Sequence, residues 1–275
     1  MNELLIVIVV YNRQIDDLQI LKSCKDEVID FFIYDNSSLP QALPNFNNGN
    51  LYYEHDKDNS GVSRAYNHAY KKAKELNKKL LLILDQDSEF NIGFLSEYNA
   101  AYNLHGGDYL YAPIVTSLDG FKIYSPGLMR CFVGKTQSLY GFRYSQIYSL
   151  SNKSLINSGL MIPLKVFEKV GGYNEKLKLD FSDVYFIEKY KNLNLNIVLL
   201  DVYLKHSISG DEGNDFDREY NRFKYYCLGS KEIGRALDTV VVWSPFRRLL
   251  RLTVKYRTAR FFWVLYAFYL RGREI

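Results

Sequence analysis

Residues 80–88 read Leu-Leu-Leu-Ile-Leu-Asp-Gln-Asp-Ser, a run of five apolar residues that leads directly into two carboxylates. An apolar run longer than strict alternation allows is typical of a strand that is buried on both faces of a helix-covered sheet. Open α/β sheets bind their ligands at the carboxyl ends of such strands. The pattern therefore predicts a central strand over Leu80–Leu84 and a ligand site at Asp85-Gln86-Asp87.

The two carboxylates of this segment are candidates for holding a metal ion. Side chains two positions apart on an extended chain point the same way. Their oxygens suit Mg²⁺ or Mn²⁺, which usually join a protein to substrate phosphates. The alternatives are an ordinary solvated turn and an EF-hand calcium loop, and the EF-hand fits poorly because Phe90 stands where its glycine is required.

Two more apolar strands are predicted near the N-terminus, and each ends in polar residues. One covers Leu4–Val10 and is followed by Tyr11-Asn12, and the other covers Val28–Tyr34 and is followed by Asp35-Asn36-Ser37. Because parallel strands end at the same edge of a sheet, the polar residues of all three strands should meet there.

The remaining pattern of the first 85 residues completes an alternating α/β unit. A short strand is predicted over Leu51–Tyr53, and helices are predicted over Asp16–Cys24 and Gly61–Leu76. This alternation predicts a mostly parallel sheet. The chain has no GxGxxG fingerprint, so an NAD or FAD site is not expected.

The second half of the chain carries weaker signals. We predict strands over Leu110–Val115, Ile156–Pro163 and Ile197–Leu204, and a helix over Leu164–Val170 that begins after Pro163. The small residues Ser158 and Gly159 fit either room for a ligand or a bulge in the strand.

The cysteines and the N-terminus favour a reducing, cytoplasmic location. The three cysteines lie far apart and form no CxxC pair, so neither a zinc site nor a disulfide framework is expected. The apolar run Leu4–Val10 lacks a preceding basic segment and is too short to cross a bilayer.

Positive charge is concentrated at the C-terminus. The 33 residues from Trp243 onward carry a net charge of +7, and the whole chain carries +4, which leaves −3 for the first 242 residues. We therefore do not expect the core to bind nucleic acid, and we expect the C-terminus to bind an anionic partner. The eight basic residues of this tail are Arg247, Arg248, Arg251, Lys255, Arg257, Arg260, Arg271 and Arg273.

Helical spacing in this tail separates basic from apolar residues. The basic side is formed by Arg247, Arg248, Arg251 and Lys255, and the apolar side by Phe246, Leu249, Leu252, Thr253 and Tyr256. The aromatic and aliphatic run over 261–270 is too short to span a bilayer. We predict an interfacial helix on an anionic membrane surface. The alternative is a helix pair packed on the domain or on a second subunit of a homodimer.

Six segments of the chain carry a resemblance to a known family. They are Val-Val-Tyr11-Asn12, Tyr-Asp35-Asn36-Ser37-Ser38, Asn59-Ser-Gly61-Val-Ser-Arg-Ala65-Tyr-Asn67, Leu-Asp85-Gln86-Asp87-Ser88, Gly171-Gly172-Tyr173-Asn174-Glu175 with Asp180-Phe181-Ser182-Asp183, and Lys205-His206-Ser207 with Gly210. In the same order, these segments resemble motifs of the family 2 glycosyltransferases with the GT-A fold. The Leu-Asp-Gln-Asp-Ser form is particularly similar to bacterial rhamnosyltransferases. Tyr34, Asn174 and Lys189 depart from the family pattern.

The resemblance implies a role for each motif. Asp183 would be the general base, and Asp87, His206 and Asp85 would hold Mg²⁺ or Mn²⁺. Asp35 would bind the nucleotide base. The residues themselves also allow Asp35 as a turn former, Asp180 or Ser182 as a helix cap, and His206 as a structural histidine. The residues implied to contact the nucleotide-sugar are Tyr11, Asn12, Asp35, Asn36, Asn59, Gly61, Asn67, Asp85 and Gln86.

The implied activity is that of an inverting, metal-dependent glycosyltransferase. A GT-A domain would cover residues 1–240, with a nucleotide-binding half over about 1–105 and an acceptor-side half over 106–240, followed by the helical tail over 241–275. The donor would be dTDP-rhamnose, and the acceptor a lipid-linked glycan at the inner face of the bacterial plasma membrane, in capsule or O-antigen assembly. The rivals are a transferase for UDP-galactofuranose or a UDP-hexose, a nucleotide-sugar hydrolase, and a non-catalytic membrane scaffold.

Overall fold

The computed structural model describes residues 2–24, 27–90, 93–128, 146–205, 215–237 and 243–273. The described strands are β1 (Leu4–Val10), β2 (Asp30–Asp35), β3 (Leu51–His55), β4 (Leu80–Asp85), β5 (Glu89–Phe90), β6 (Tyr111–Thr116), β7 (Ile123–Ser125), β8 (Gly127–Leu128), β9 (Gln146–Ser149), β10 (Lys153–Ser154), β11 (Met161–Pro163) and β12 (Asn196–Lys205). The described helices are α1 (Gln19–Ser23), α2 (Val62–Glu75), α3 (Phe94–His105), α4 (Leu164–Val170), α5 (Ser182–Lys191), α6 (Phe216–Ala236), α7 (Trp243–Tyr256) and α8 (Arg260–Val264). A 3₁₀ turn covers Ile15–Asp17, and a π-helix over Leu265–Leu270 continues α8.

The main sheet has the order β3-β2-β1-β4-β11-β6-β12-β5, with β7 added beside β6 and β9 beside β12. Strands β3, β2, β1 and β4 are parallel to one another, as the alternating pattern predicted. Strand β11 then runs antiparallel between β4 and β6, so the second half of the sheet is mixed. The first half is therefore a parallel unit, and it ends where β11 enters.

Strand β1 shows why a continuous apolar run belongs in this position. Its even-numbered residues pack into a core shared with α1 and α3, and Leu5 and Val7 pack into a second core shared with α2, α4 and α5. Both faces of the strand are therefore buried between helices, which leaves no position for a polar side chain.

The register of the central strands brings the polar strand ends together. Val10 lies opposite Asp35, and Val9 lies opposite Asp85, so β1, β2 and β4 end at one edge. Strands β2 and β3 lie on one side of β1, and β4 lies on its other side, so the order of the strands reverses at β1. Open α/β sheets bind their ligands at such a reversal of strand order.

Two strands begin at least two residues later in the structure than the sequence pattern predicted. The strand predicted over 156–163 is formed only over Met161–Pro163, because Gly159 has a φ of +79° and interrupts the extended chain. A Cβ at Gly159 would lie 2.4 Å from the Pro113 side chain, so the small residue permits close packing at this break. Strand β2 begins at Asp30, and the predicted first residue, Val28, is 66% exposed.

The C-terminal helices form a third core. Leu249 and Leu252 of α7 and Phe261 and Val264 of α8 pack against α6. The predicted domain boundary at 240/241 falls among residues that the structure does not describe, and α6 on its N-terminal side shares this core with α7 and α8. Within the described ranges, no helix has the length and apolar character needed to cross a membrane.

Candidate active site

Hydrogen bonds connect the three polar strand ends. The Tyr11 backbone N–H donates to Gln86 Oε1 at 2.9 Å, and the Asn12 N–H donates to Ser37 Oγ at 2.9 Å. Asn12 has a φ of 51°, a left-handed conformation that asparagine tolerates better than most residues. The loops after β1, β2 and β4 therefore form one connected rim, and the Tyr11 side chain is half exposed on it.

Asp85 is the last residue of β4, and Gln86 and Asp87 lie in a closed turn after it, so the two carboxylates are not both on an extended segment as predicted. The Ser88 N–H donates to the Asp85 carbonyl at 3.1 Å, and Ser88 Oγ accepts from the Asp85 N–H at 3.0 Å. Ser88 Oγ also lies 3.2 Å from Ser158 Oγ, which fixes the turn to the loop before β11. Asp85, Gln86 and Asp87 are each partly exposed at this turn.

The donor set around this turn fits a hard divalent cation. Strand β5, directly after the turn, pairs with the end of β12, with Glu89 opposite Lys205. His206 is the next residue along the chain and lies outside the described residues. Within the described ranges, no three His, Cys, Asp or Glu side chains are grouped as a metal cage. Two partly exposed carboxylates suit Mg²⁺ or Mn²⁺, which bind through few protein ligands and complete their shell with water and phosphate oxygens.

Asp35, which was predicted to bind the nucleotide base, is fully buried. Both of its carboxylate oxygens accept hydrogen bonds from the protein. Its Oδ1 accepts from the Ser37 N–H at 2.9 Å, and its Oδ2 accepts from Tyr53 Oη at 2.9 Å and Gln41 Nε2 at 3.1 Å. Burial alone would raise the pKa of the Asp35 carboxyl, but these hydrogen bonds outweigh burial and lower the pKa. Asp35 organises the loop beside the rim. Its neighbour Asn36 is also buried.

The N-terminus of α2 is closed by another part of the chain. Gly61 has a φ of +97°, and a Cβ there would lie 2.1 Å from the Lys178 carbonyl oxygen. The Val62 N–H donates to that oxygen at 2.8 Å, and Ser63 Oγ donates to the Leu177 carbonyl at 2.6 Å. Gly61 therefore allows the approach of residues 177–178, and Asn59 precedes it with a φ of 46°.

Asn67 makes a second connection of the same kind. Its Oδ1 accepts from the Tyr173 N–H at 2.9 Å, and its Nδ2 donates to the Tyr173 carbonyl and to Glu175 Oε1, each at 3.0 Å. The segment after the glycine pair Gly171-Gly172 is thus attached to α2. The prediction that Asn67 contacts the nucleotide-sugar stays a prediction, and in this structure its amide bonds to Tyr173 and Glu175.

Asp183 lies in the first turn of α5, and neither Asp180 nor Ser182 caps that helix. The pKa of the Asp183 carboxyl is raised to about 6, mainly by burial and also by the negative charges of Asp180 and Asp85, against the effect of a 2.7 Å hydrogen bond from the Val184 N–H. A carboxyl that gains a proton near neutral pH is suited to general base chemistry. Because the charge of Asp85 acts on the pKa of Asp183, the end of β4 and the start of α5 lie near each other in the fold.

A buried polar network supports the start of α5. Tyr173 Oη donates to Asn157 Oδ1 at 2.8 Å, and Asn157 Nδ2 donates to Ser182 Oγ at 3.2 Å. Tyr66 of α2 is buried against Tyr173 with a ring separation of 4.9 Å. Burial raises the pKa of the Tyr66 phenol well above its usual value, and the charges of Asp85 and Asp183 contribute. Sequence reasoning missed the roles of Tyr66 and Asn157, because their partners are remote along the chain.

Comparison with known proteins gives a family model and a curated relative. The family model described as glycosyl transferase family 2 matches residues 5–171. The low-salt glycan biosynthesis hexosyltransferase Agl10 of Haloferax volcanii is 25% identical over 211 residues, which cover 72% of this chain and 64% of Agl10. The match therefore spans less than two thirds of that relative.

Solved structures of other glycosyltransferases share the fold. S. aureus TarS superposes with a TM-score of 0.57 at 14% identity, covering 99% of this chain and 76% of TarS. The TarS complex with UDP-GlcNAc superposes with a TM-score of 0.54 at 14% identity, covering 97% of this chain and 73% of TarS. GalNAc-T7 with UDP, GalNAc and Mn²⁺ superposes with a TM-score of 0.56 at 13% identity, covering 95% of this chain and 55% of GalNAc-T7. The fold is therefore of the GT-A type, and because the family model matches more than half of its length, this chain belongs to glycosyl transferase family 2.

Proposed function

We propose that this protein is an inverting, metal-dependent glycosyltransferase that uses a nucleotide-sugar donor. The observation that carries the proposal is the placement of Asp183, a carboxyl with a pKa of about 6, within electrostatic reach of Asp85 at the rim formed by β1, β2 and β4. Family membership supports sugar transfer, and the solved relatives with bound UDP or UDP-GlcNAc support a nucleotide-sugar donor.

The chain supplies the base and the binding surface for this reaction. Asp183 takes the proton of an acceptor hydroxyl as its oxygen forms a bond to the anomeric carbon, and the bond from that carbon to the nucleotide diphosphate breaks on the opposite face. Asp85, Asp87 and His206 would hold the divalent cation, which supplies positive charge for the departing diphosphate. Gln86 fixes the Tyr11 loop beside this turn, so the donor-side rim is ordered before substrate arrives.

The donor we favour is dTDP-rhamnose, on the resemblance of Leu-Asp-Gln-Asp-Ser to rhamnosyltransferases. A UDP-linked hexose or galactofuranose is the second candidate, since the relatives with bound nucleotide carry UDP. Calorimetry with dTDP-rhamnose, UDP-glucose and UDP-galactofuranose in the presence of Mn²⁺, with ATP as the control, tests the donor class. Tight binding of one nucleotide-sugar with slow release of its sugar supports a transferase. Fast hydrolysis without acceptor would instead establish a hydrolase, and no turnover with any acceptor would leave a binding scaffold.

We further propose that the acceptor is a lipid-linked glycan presented at an anionic membrane surface. The tail has an inner apolar face in the third core and an outer face that stays exposed. Seven of its eight basic residues are exposed, and the eighth, Arg248, is largely buried. Arg271 and Arg273 lie over the rings of Tyr266 and Trp263 at 5.1 and 6.0 Å. Exposed aromatics flanked by basic side chains suit the headgroup region of an anionic bilayer. The outer apolar residues are Trp243, Leu250, Val254, Phe262, Trp263, Tyr266 and Leu270.

Substitution on the outer face should weaken membrane attachment without loss of folding. We expect the wild-type protein to sediment with phosphatidylserine-containing liposomes at low salt and to be released at high salt, because basic residues supply much of the attraction. Leu250→Ser with Trp263→Ser should reduce the bound fraction several-fold, since both side chains are about half exposed or more. The matched control is Leu39→Ser with Phe121→Ser, which removes two exposed apolar side chains elsewhere. Equal binding by both double variants would contradict the membrane proposal.

The transfer rate should depend on pH through Asp183. Its pKa is raised to about 6, and the base must be ionised to accept a proton. The kcat should therefore be constant above about pH 7 and fall tenfold per pH unit well below pH 6. Steady-state rates across pH 5–8 at saturating donor and metal give the profile. A rate that stays flat to pH 5 would exclude Asp183 as the group that titrates in the reaction.

A further inference from the structure

The tail contains one basic residue that faces inward. Arg248 lies with its guanidinium 4.4 Å from the centre of the Tyr226 ring, and its side chain is only 12% exposed. One of its terminal nitrogens lies 3.7 Å from Asp180 Oδ1, and the other lies 3.5 Å from Glu219 Oε2. Arg222 of α6 lies 3.5 Å from the same oxygen, Asp180 Oδ1. Two buried acids and two arginines therefore connect α6 and α7 to residue 180.

Asp180 belongs to the turn that sets the direction of α5. Phe181 follows it with a φ of +71°, a left-handed conformation that a phenylalanine adopts only when its surroundings hold it. The ring of Phe181 packs against Tyr226 at 4.9 Å. A Cβ at Gly229 of α6 would lie 3.1 Å from that ring and 3.2 Å from the Asp180 carbonyl oxygen. The turn is thus fixed on one side by α6, and its carboxylate is fixed by arginines.

We propose that Arg248 is a positioning residue for Asp183, and that through it the tail takes part in the transfer reaction as well as in surface attachment. The inference rests on the proposed role of Asp183. Asp183 is the second residue of α5 and follows the constrained Phe181 by two positions, so the orientation of its carboxylate depends on the turn. Asp180 is also one of the charges that act on Asp183. Arg248 neutralises that charge and holds its carboxylate in place.

If the ion pairs of Arg248 contributed only to folding stability, the variants of this cluster would behave differently. The second arm of Arg248 reaches Glu219, which lies on α6 and has no part in the turn before α5. Removing the Glu219 charge therefore disturbs the same buried cluster while Asp180 keeps both arginines. If the cluster acted only on stability, Arg248 and Glu219 variants would lose activity in proportion to their loss of folded protein.

The test compares Arg248→Met with Glu219→Gln and with Arg235→Met, an exposed arginine on α6 that lies outside the tail. We expect Arg248→Met to lower kcat at least about tenfold, with the KM and the calorimetric Kd for the nucleotide-sugar changed less than twofold. Glu219→Gln should keep most of kcat even where its melting temperature falls, and Arg235→Met should match the wild type. Arg248→Lys, which keeps a charge near Asp180, should recover part of the loss, and it serves if the methionine variant does not fold.

Two outcomes would overturn the inference. One is a kcat loss that follows the melting temperature equally in the Arg248 and Glu219 variants. The other is an Arg248→Met protein with wild-type kcat. Either result leaves the proposed function intact if Asp183→Asn is inactive in the same assay. Full turnover by Asp183→Asn would instead remove the base itself, so the two failures are distinguishable.

Discussion

Replacing Asp183 with asparagine should lower kcat by about 10²- to 10⁴-fold, the contribution typical of a general base. Asparagine has nearly the same shape, so α5 and the Asn157–Tyr173 network beneath it should stay in place. The amide cannot accept the acceptor's proton, and the loss should appear in the chemical step. Donor affinity, measured by calorimetry, should change little, because Asp183 is not among the proposed donor contacts, most of which lie on the β1, β2 and β4 rim.

The control for this variant is Asp201→Asn, which removes a carboxylate from an exposed position of β12. It should retain wild-type kinetics. Loss of donor binding together with activity in Asp183→Asn would make Asp183 a donor contact or a structural residue. Transfer at a near wild-type rate would remove it from the mechanism.

Removing the divalent cation should abolish transfer, and Asp87→Ala should have the same effect. Positive charge on the leaving diphosphate contributes several kcal/mol to such reactions, so we expect a loss of at least about 100-fold. Transfer would be measured after EDTA treatment and again after addition of Mn²⁺ or Mg²⁺. Calorimetric titration of Mn²⁺ in the presence of UDP would show directly whether Asp87→Ala has lost the ion.

The matched control is Glu89→Ala, an exposed acid two residues beyond Asp87. It should keep both the metal response and the rate. Full turnover by Asp87→Ala in metal-free buffer would contradict metal dependence. Restoration of Asp87→Ala to full activity at ordinary Mn²⁺ concentrations would place the ion on other ligands.

The predicted strands succeed where local sequence determines the outcome. Strand β1 was predicted with its observed bounds, and β4 extends the prediction by one residue to Asp85, because a run of apolar residues has only one stable place in a helix-covered sheet. Once those strands are parallel neighbours, their register follows, and the convergence of their polar ends follows from the register. The rim was predictable for that reason.

The partners of the site residues were not predictable in the same way. Gly61 and Asn67 were assigned to the donor, but the structure joins them to Lys178 and Tyr173, more than a hundred residues along the chain. Asp35 likewise depends on Gln41 and Tyr53, whose approach is set by the β2–β3 connection and not by any local pattern. A motif shows which residue type stands at a position, but it does not show which residues that side chain or backbone will contact in the fold.

The tail shows the same division within one helix. Its periodicity correctly separated an apolar face, which packs against α6. The pattern placed Arg248 on the basic outer side with Arg247, but the structure turns it inward, because Asp180 and Glu219 lie beneath that turn of α7. Helical spacing records position around the axis, whereas a long arginine side chain can reach past the boundary between two faces.

The two-sided construction of the C-terminal helices separates two kinds of evolutionary constraint. Leu249, Leu252 and Phe261 are buried in the third core, so substituting any of them would lower the free energy of unfolding. Leu250 and Val254 lie outside that core and are 60% and 76% exposed, so they are free to vary with the surface that the protein meets. A lineage could therefore change the outer face, and with it the proposed membrane attachment, at little cost to the fold. Shortening the chain near Ser244 offers no such freedom, because it would uncover Phe223 and Cys227 of α6.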